Sequence, residues 1–177
     1  MRREQLEHIV RAAAQIADQR DVIVLGSQAV LGSFHEDQLP DEAIGSMEAD
    51  IAFFKDDDNA QADAVTGAIG ELSRFHDSFG VYADGVTIST AVKPVGWHER
   101  LVILETPATA PGRGLCLERH DLAASKLVAH RPKDLAFVGA LLREGLVDAS
   151  VLRSRIEELP VDGTVRQRLI EWLQSVS

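Results

Sequence analysis

Apolar residues recur at spacings of three and four from the start of the chain. Leu6, Ile9, Val10, Ala13 and Ile16 fall on one face of an amphipathic helix predicted over residues 3–19. At residue 21 the period changes. Asp21-Val22-Ile23-Val24-Leu25 is a short β-branched run closed by Gly26-Ser27, which predicts a buried strand turning into a short helix over 28–34. Residues 35–46, with Pro40, Gly45 and several acids, predict an exposed loop. A strand follows over Met47–Phe54, where alternation turns Glu48, Asp50 and Ala52 one way and Met47, Ala49, Ile51 and Phe53 the other. Two carboxylates therefore share one face. Asp56-Asp57-Asp58 reads as the cap and acidic first turn of a helix over 59–73, with Ala64, Ala68, Ile69 and Leu72 inward. Further strands are predicted over 81–91 and 100–105, on either side of Pro94-Val95-Gly96-Trp97. Beyond Glu118 the pattern is helical, over 118–130, 133–145, 149–158 and 163–175, punctuated by Pro132, Gly145, Pro160 and Gly163. The expected fold is α/β (α+β): a small mixed sheet flanked by helices over 1–110, with a C-terminal helical bundle over 111–177 packed on it.

Composition narrows the function classes. With 177 residues, 45% of them hydrophobic, the chain has material for one ordinary core. Its formal charge of −10 argues against broad nucleic-acid or membrane binding driven by net charge. The charge is uneven: ten acids and one base lie between Glu36 and Asp63, while ten bases face eight acids from Arg113 to Arg168. The one cysteine, Cys116, forms no internal disulfide and fits a reducing, cytoplasmic setting as an inert core thiol. No apolar run reaches the roughly 18 residues of a membrane span. The six histidines show no ligand pair spacing, which disfavours zinc.

The chemistry concentrates in a strand, a Gly26-Ser27 turn, a loop, and a second strand carrying Glu48-Ala49-Asp50. A Gly-Ser at a helix start offers unpaired backbone N–H groups and a hydroxyl to phosphate. Carboxylates at i and i+2 on a strand can hold the same hard divalent ions, Mg²⁺ or Mn²⁺.

This order of motifs resembles the nucleotidyltransferase superfamily of the DNA polymerase β type, with Gly26, Ser27, Glu48 and Asp50 at its hallmark positions. His120-Asp121-Leu122-Ala123-Ala124-Ser125-Lys126-Leu127 and His130-Arg131-Pro132-Lys133-Asp134 resemble a later segment of minimal nucleotidyltransferases, including the type IV abortive-infection toxins and a related bacterial family. The resemblance spans about residues 20–145 and implies a sheet of nucleotidyltransferase type. It also implies Mg²⁺-dependent transfer of an NMP from an NTP to an acceptor hydroxyl, with Gly26, Ser27, Lys126 and Asp134 at the nucleotide. It makes Glu48, Asp50 and a third carboxylate on a following strand catalytic and metal-holding, with Asp84, in Tyr82-Ala83-Asp84-Gly85-Val86, as the candidate for the third and Glu105 and Glu99 as the alternatives. It further implies an RNA acceptor such as a tRNA 3′ end, with Arg119, Arg131, Lys133 and Arg143 as its platform, and a cognate antitoxin as partner. A protein hydroxyl or a small aminoglycoside-like molecule also suits such a fold. The chain departs from the toxin group in having Ser46 but no arginine before the carboxylates, and Glu rather than Asp first. The competing reading is a catalytically idle member acting as a binding or regulatory module.

Overall fold

The computed structural model describes residues 1–176. Five short strands form one mixed sheet: β1 (Asp21–Val24), β2 (Glu48–Ala52), β3 (Tyr82–Gly85), β4 (Val102–Leu104) and β5 (Arg113–Cys116), in the spatial order β3-β2-β1-β5-β4. β1 runs antiparallel to β2 and parallel to β5, β2 runs parallel to β3, and β4 lies antiparallel at the far edge.

Alternation sends the two faces of the sheet to different fates. Val22, Val24, Ala49, Ile51, Ala83, Leu104 and Cys116 point into the main core, which α1 (Arg3–Ala17) and α3 (Ala60–Ile69) cover. Burial there pushes the Cys116 thiol up to about 12, so it stays a protonated core side chain. On the opposite face Ile23, Leu25, Ala52 and Leu115 form a smaller cluster, roofed by Val86, Ile88, Trp97 and Leu101 of the segment between β3 and β4. The carboxylates of β2 lie on this second face, beside the roof.

The remaining elements complete the frame. Between β1 and β2 lie 3₁₀ turns over Ser27–Gly32 and Glu36–Gln38 and a single helical turn, α2 (Asp41–Ile44). The segment expected to be an exposed loop thus folds locally and buries Leu39 and Ala43. α4 (Arg74–Phe79), not anticipated, is capped by the Ser73 hydroxyl accepting from His76 N–H. Asp56 and Asp58 cap α3 as expected, Asp56 accepting from Gln61 and Ala62 at 2.9 and 2.8 Å. α5 (Arg119–Ala129), α6 (Pro132–Arg143), α7 (Ala149–Glu157) and α8 (Gly163–Val176) follow the predicted C-terminal helices closely.

Three expectations are corrected. α3 buries Ala62, Val65 and Ile69, while Ala64, Ala68 and Leu72 are exposed, because the near-continuous small residues of this helix left its inward face undefined. The strand expected over 81–91 pairs only through Gly85, then leaves the sheet as the roof segment. β5 was not anticipated, although it supplies the parallel neighbour of β1 and comes after residue 110, so sheet and core continue across that position. No helix among the described residues is long and apolar enough to cross a membrane.

A buried ion cluster ties the roof to the helical half. Asp121 on α5 has a fully buried carboxylate that accepts from Arg100 at 2.9 and 3.0 Å and lies 3.0 Å from Arg155 of α7. Arg100 also donates to the carbonyl of Val95, and Val95 N–H donates to that of Glu158.

Candidate functional site

Parallel pairing places Glu48 beside Tyr82 and Asp50 beside Asp84, so Glu48, Asp50 and Asp84 lie on one face of two adjacent strands. The register is what brings Asp84 beside Asp50. Glu105 is instead ion-paired with Arg20 at 2.7 Å, and Glu99 lies in a turn beside His98. The Tyr82 hydroxyl reaches Glu48 Oε2 at 3.5 Å, a contact no sequence motif pointed to.

Gly26, two residues past the end of β1 and at the cap of the following 3₁₀ turn, lies directly against Asp50. A Cβ built on Gly26 would lie 1.7 Å from Asp50 Oδ2 and 2.7 Å from its Cγ, so only glycine leaves room for this carboxylate. Leu25 N–H donates to the Asp50 carbonyl at 3.1 Å, fixing the two segments together. Ser27, half-buried, is the first residue of the 3₁₀ turn that follows.

A cleft of about 360 Å³ opens beside Asp50 and Gly26. One wall is the roof segment, with Val86, Thr90 and Val92, and the other is the end of α5, with Ser125, Lys126 and Val128. Arg131, expected on the acceptor's basic platform, lines the cleft as well. Asp134 does not open onto the cleft. Its carboxylate is buried and grips Lys126 at 3.3 Å and Arg131 at 2.6 Å, setting both cations against the cleft. Burial pushes the Asp134 carboxyl up, but the Arg131 bond and the Lys126 and Arg131 charges pull it further down, below the ordinary range. Of the expected basic platform, Arg143 pairs with Glu42, and Arg119 lies over the Phe34 ring near Glu118, which leaves Arg131 and Lys133 near the carboxylates.

Burial first, and then neighbouring carboxylates, disfavour the charged forms of Glu48 and Asp50, although the hydrogen bond from Glu48 favours the Asp50 charge. Burial raises Glu48, and the neighbouring Asp50 and Asp84 raise it further against an opposing pull from Lys133. Burial likewise raises Asp50, with Lys126 pulling down and Asp84 pushing up. An all-oxygen set of like charges that resist ionisation together fits a hard divalent cation such as Mg²⁺ or Mn²⁺, whose charge would relieve both effects. Among the described residues no three His, Cys, Asp or Glu groups are gathered closely enough to hold a metal ion as they stand.

The raised values carry a sign that can be measured on the metal-free protein. A carboxyl raised in the folded state costs stability once it ionises. The penalty is absent below the unfolded value and grows in full as pH rises through the folded one. Glu48→Gln/Asp50→Asn is therefore expected to melt at a higher temperature than the parent near pH 7 in EDTA. The gap should close near the ordinary carboxylate range of about 4. A double variant that melts lower at pH 7 would contradict the assigned charge repulsion.

No curated protein and no solved structure matches the chain. A family match spans residues 4–172, nearly the whole sequence, and covers the carboxylate strands, the cleft and the helical half alike. On that match the chain belongs to the DUF6036 family, described as nucleotidyltransferases of unknown function.

Proposed function

We propose that the protein is a divalent-metal-dependent nucleotidyltransferase that moves a nucleoside monophosphate from an NTP to an acceptor hydroxyl, releasing pyrophosphate. The observation that carries this reading is the register placing Asp84 next to Asp50, with Glu48 one pleat away, beside a cleft faced by Lys126 and Arg131. Glu48, Asp50 and Asp84 are the residues that would hold Mg²⁺ or Mn²⁺. When bound, such ions offset charge on the attacking and leaving oxygens of an in-line displacement.

The remaining chemistry belongs to the chain's own groups. The acceptor oxygen forms a bond to the α-phosphorus, the bond from that phosphorus to the bridging oxygen of the β-phosphate breaks, and the acceptor proton passes to Asp84. Lys126 and Arg131, held by Asp134, neutralise negative charge on the triphosphate as pyrophosphate leaves. Gly26 leaves the room Asp50 needs beside the cleft, and Ser27, the next residue and the first of the 3₁₀ turn, would offer its N–H and hydroxyl to phosphate. Val86, Val92 and Val128 give the nucleotide an apolar wall without an aromatic platform, which favours shape and methylene contact over ring stacking. Arg131 and Lys133 are the groups supporting a phosphate-bearing acceptor such as an RNA end.

The test is transfer of α-labelled NTP, with Mg²⁺ or Mn²⁺, onto total cellular RNA and onto protein. Label incorporation is expected in the parent and a loss of at least about a thousandfold in Glu48→Gln/Asp50→Asn, since the reading assigns all metal holding to this face. Undiminished labelling by that variant would overturn the reading. Labelling of protein but not RNA would overturn the RNA acceptor alone.

A further inference from the structure

The polar side chains lining the cleft are Asp50, Thr90, Ser125, Lys126 and Arg131. All but one are engaged. Asp50 belongs to the carboxylate face, Asp134 grips Lys126 at 3.3 Å and Arg131 at 2.6 Å, and Thr90 Oγ1 lies 3.1 Å from Thr87 Oγ1. Ser125 is the exception. Its residue is only 9% exposed, yet among the described residues its hydroxyl makes no hydrogen bond, not even to the carbonyl one helical turn earlier. A hydroxyl buried to this degree and left unpaired costs free energy that a polar atom of a bound ligand recovers.

Its position decides which part of a nucleotide meets it. Val128 and Ala129 follow Ser125 at i+3 and i+4 on α5, so the three form one stripe on that wall of the cleft. Val86, Ala91 and Val92 of the roof segment form the other wall. The charged groups suit metal and phosphate, and the two walls leave an uncharged slot for the nucleoside. Apolar walls touch the faces of all bases alike, whereas the edges of bases differ in their donors and acceptors.

From this unpartnered, buried hydroxyl in an uncharged slot, we infer that Ser125 hydrogen-bonds the edge of the nucleotide's base and selects which NTPs the cleft accepts. The inference rests on the transfer reading above. Serine carries one donor and two acceptor sites on a rotating O–H, so it turns to donate to a ring carbonyl or to accept from an exocyclic amino group. It therefore tolerates exchange of those groups at one place, but not a shift in where the edge lies. Purines and pyrimidines differ in that respect by a whole ring. Ser125 thus separates the two classes rather than the members of either, because a base of the wrong size leaves the buried hydroxyl unpaired.

Calorimetric titration of the full chain with ATP, GTP, CTP and UTP in Mg²⁺, on the parent and on Ser125→Ala, tests this. In the parent one class is expected to bind about tenfold tighter than the other, the worth of one hydrogen bond. In Ser125→Ala the two classes should converge to within about twofold. The ratio between classes is the readout, since a loosened fold weakens all four NTPs together. A parent that binds all four alike, or a Ser125→Ala variant that keeps the parent's class preference, would overturn the base-selecting role. Uniform weakening of all four in the variant, or weakening that disappears with 2′-deoxy NTPs, would put Ser125 in the fold or at the sugar and overturn it equally. Absence of any Mg²⁺-dependent NTP binding in the parent would instead overturn the transfer reading, and this inference with it.

Discussion

Gly26→Ala is expected to reduce nucleotide transfer by at least about a hundredfold while leaving the helical content and cooperative unfolding in place. The added methyl would sit 1.7 Å from Asp50 Oδ2, and its distances of 2.7 and 3.1 Å to Asp50 Cγ and Cβ leave no small adjustment that clears it. Asp50 must rotate away from Asp84 and from the cleft. A displacement of about 1 Å in a positioning group is enough for a loss of that order. The backbone at Gly26 is extended, with φ −75° and ψ −169°, so alanine brings no conformational penalty of its own and the effect isolates the collision with Asp50. The check is kcat/KM for metal-dependent transfer alongside far-UV circular dichroism. A variant that folds and retains activity within a few-fold would show that Asp50 is not held by this contact or not needed.

The largest loss of stability is expected at Asp121, whose side chain is itself fully buried. Its carboxylate is shared between Arg100 of the roof segment and Arg155 of α7. Removing the shared carboxylate leaves Arg100 and Arg155 partly desolvated, with only Glu158, at 3.6 and 3.5 Å, to oppose their charge, at a cost of up to about 3–5 kcal/mol. Asp121→Ala should therefore lower the urea midpoint by a large fraction of the whole transition, given a typical total stability of about 5–15 kcal/mol. The exposed Arg143–Glu42 pair gives the contrast. Glu42→Ala should change stability by less than about 1 kcal/mol, because both partners are solvated. If Asp121→Ala and Glu42→Ala unfold alike, the buried cluster is not what fastens the roof to the helices. Because Arg100 also holds Val95, the same Asp121 variant should loosen the segment that walls the cleft, seen as faster proteolysis between β3 and β4.

Much of this arrangement was legible in the sequence, for physical reasons that also explain the omissions. α1 and the four C-terminal helices carry long apolar periods with Pro and Gly punctuation, so period and punctuation agree. Glu48 and Asp50 could be put on one face because alternation is local to a strand. Asp84 depended on register, which pairing across the sheet decides and no single segment contains. β5 is four residues, Arg-Gly-Leu-Cys, with a glycine inside and no alternation to mark it, yet its pairing with β1 completes the centre of the sheet. The roof segment continues the apolar pattern of β3 but leaves the sheet after Gly85, a position where a Cβ would collide with the Ala62 carbonyl at 1.9 Å. At the site, the resemblance supplied Lys126 and Asp134. Their relation, one buried carboxylate setting two cations against a cleft, is tertiary and involves Arg131 as much as either. The reason for Gly26 likewise changes in emphasis, from close approach to phosphate toward space for Asp50.

The central claim is that one sheet face, with Glu48, Asp50 and Asp84 beside the Lys126 cleft, is a metal-dependent nucleotide site. Calorimetric titration of the parent and of Glu48→Gln/Asp50→Asn with each of the four NTPs, in Mg²⁺ and in EDTA, tests it most directly. The account predicts a component of NTP binding in the parent that appears only with Mg²⁺ and is absent from the double variant. NTP binding that is identical in Mg²⁺ and EDTA, or identical in parent and variant, would contradict it.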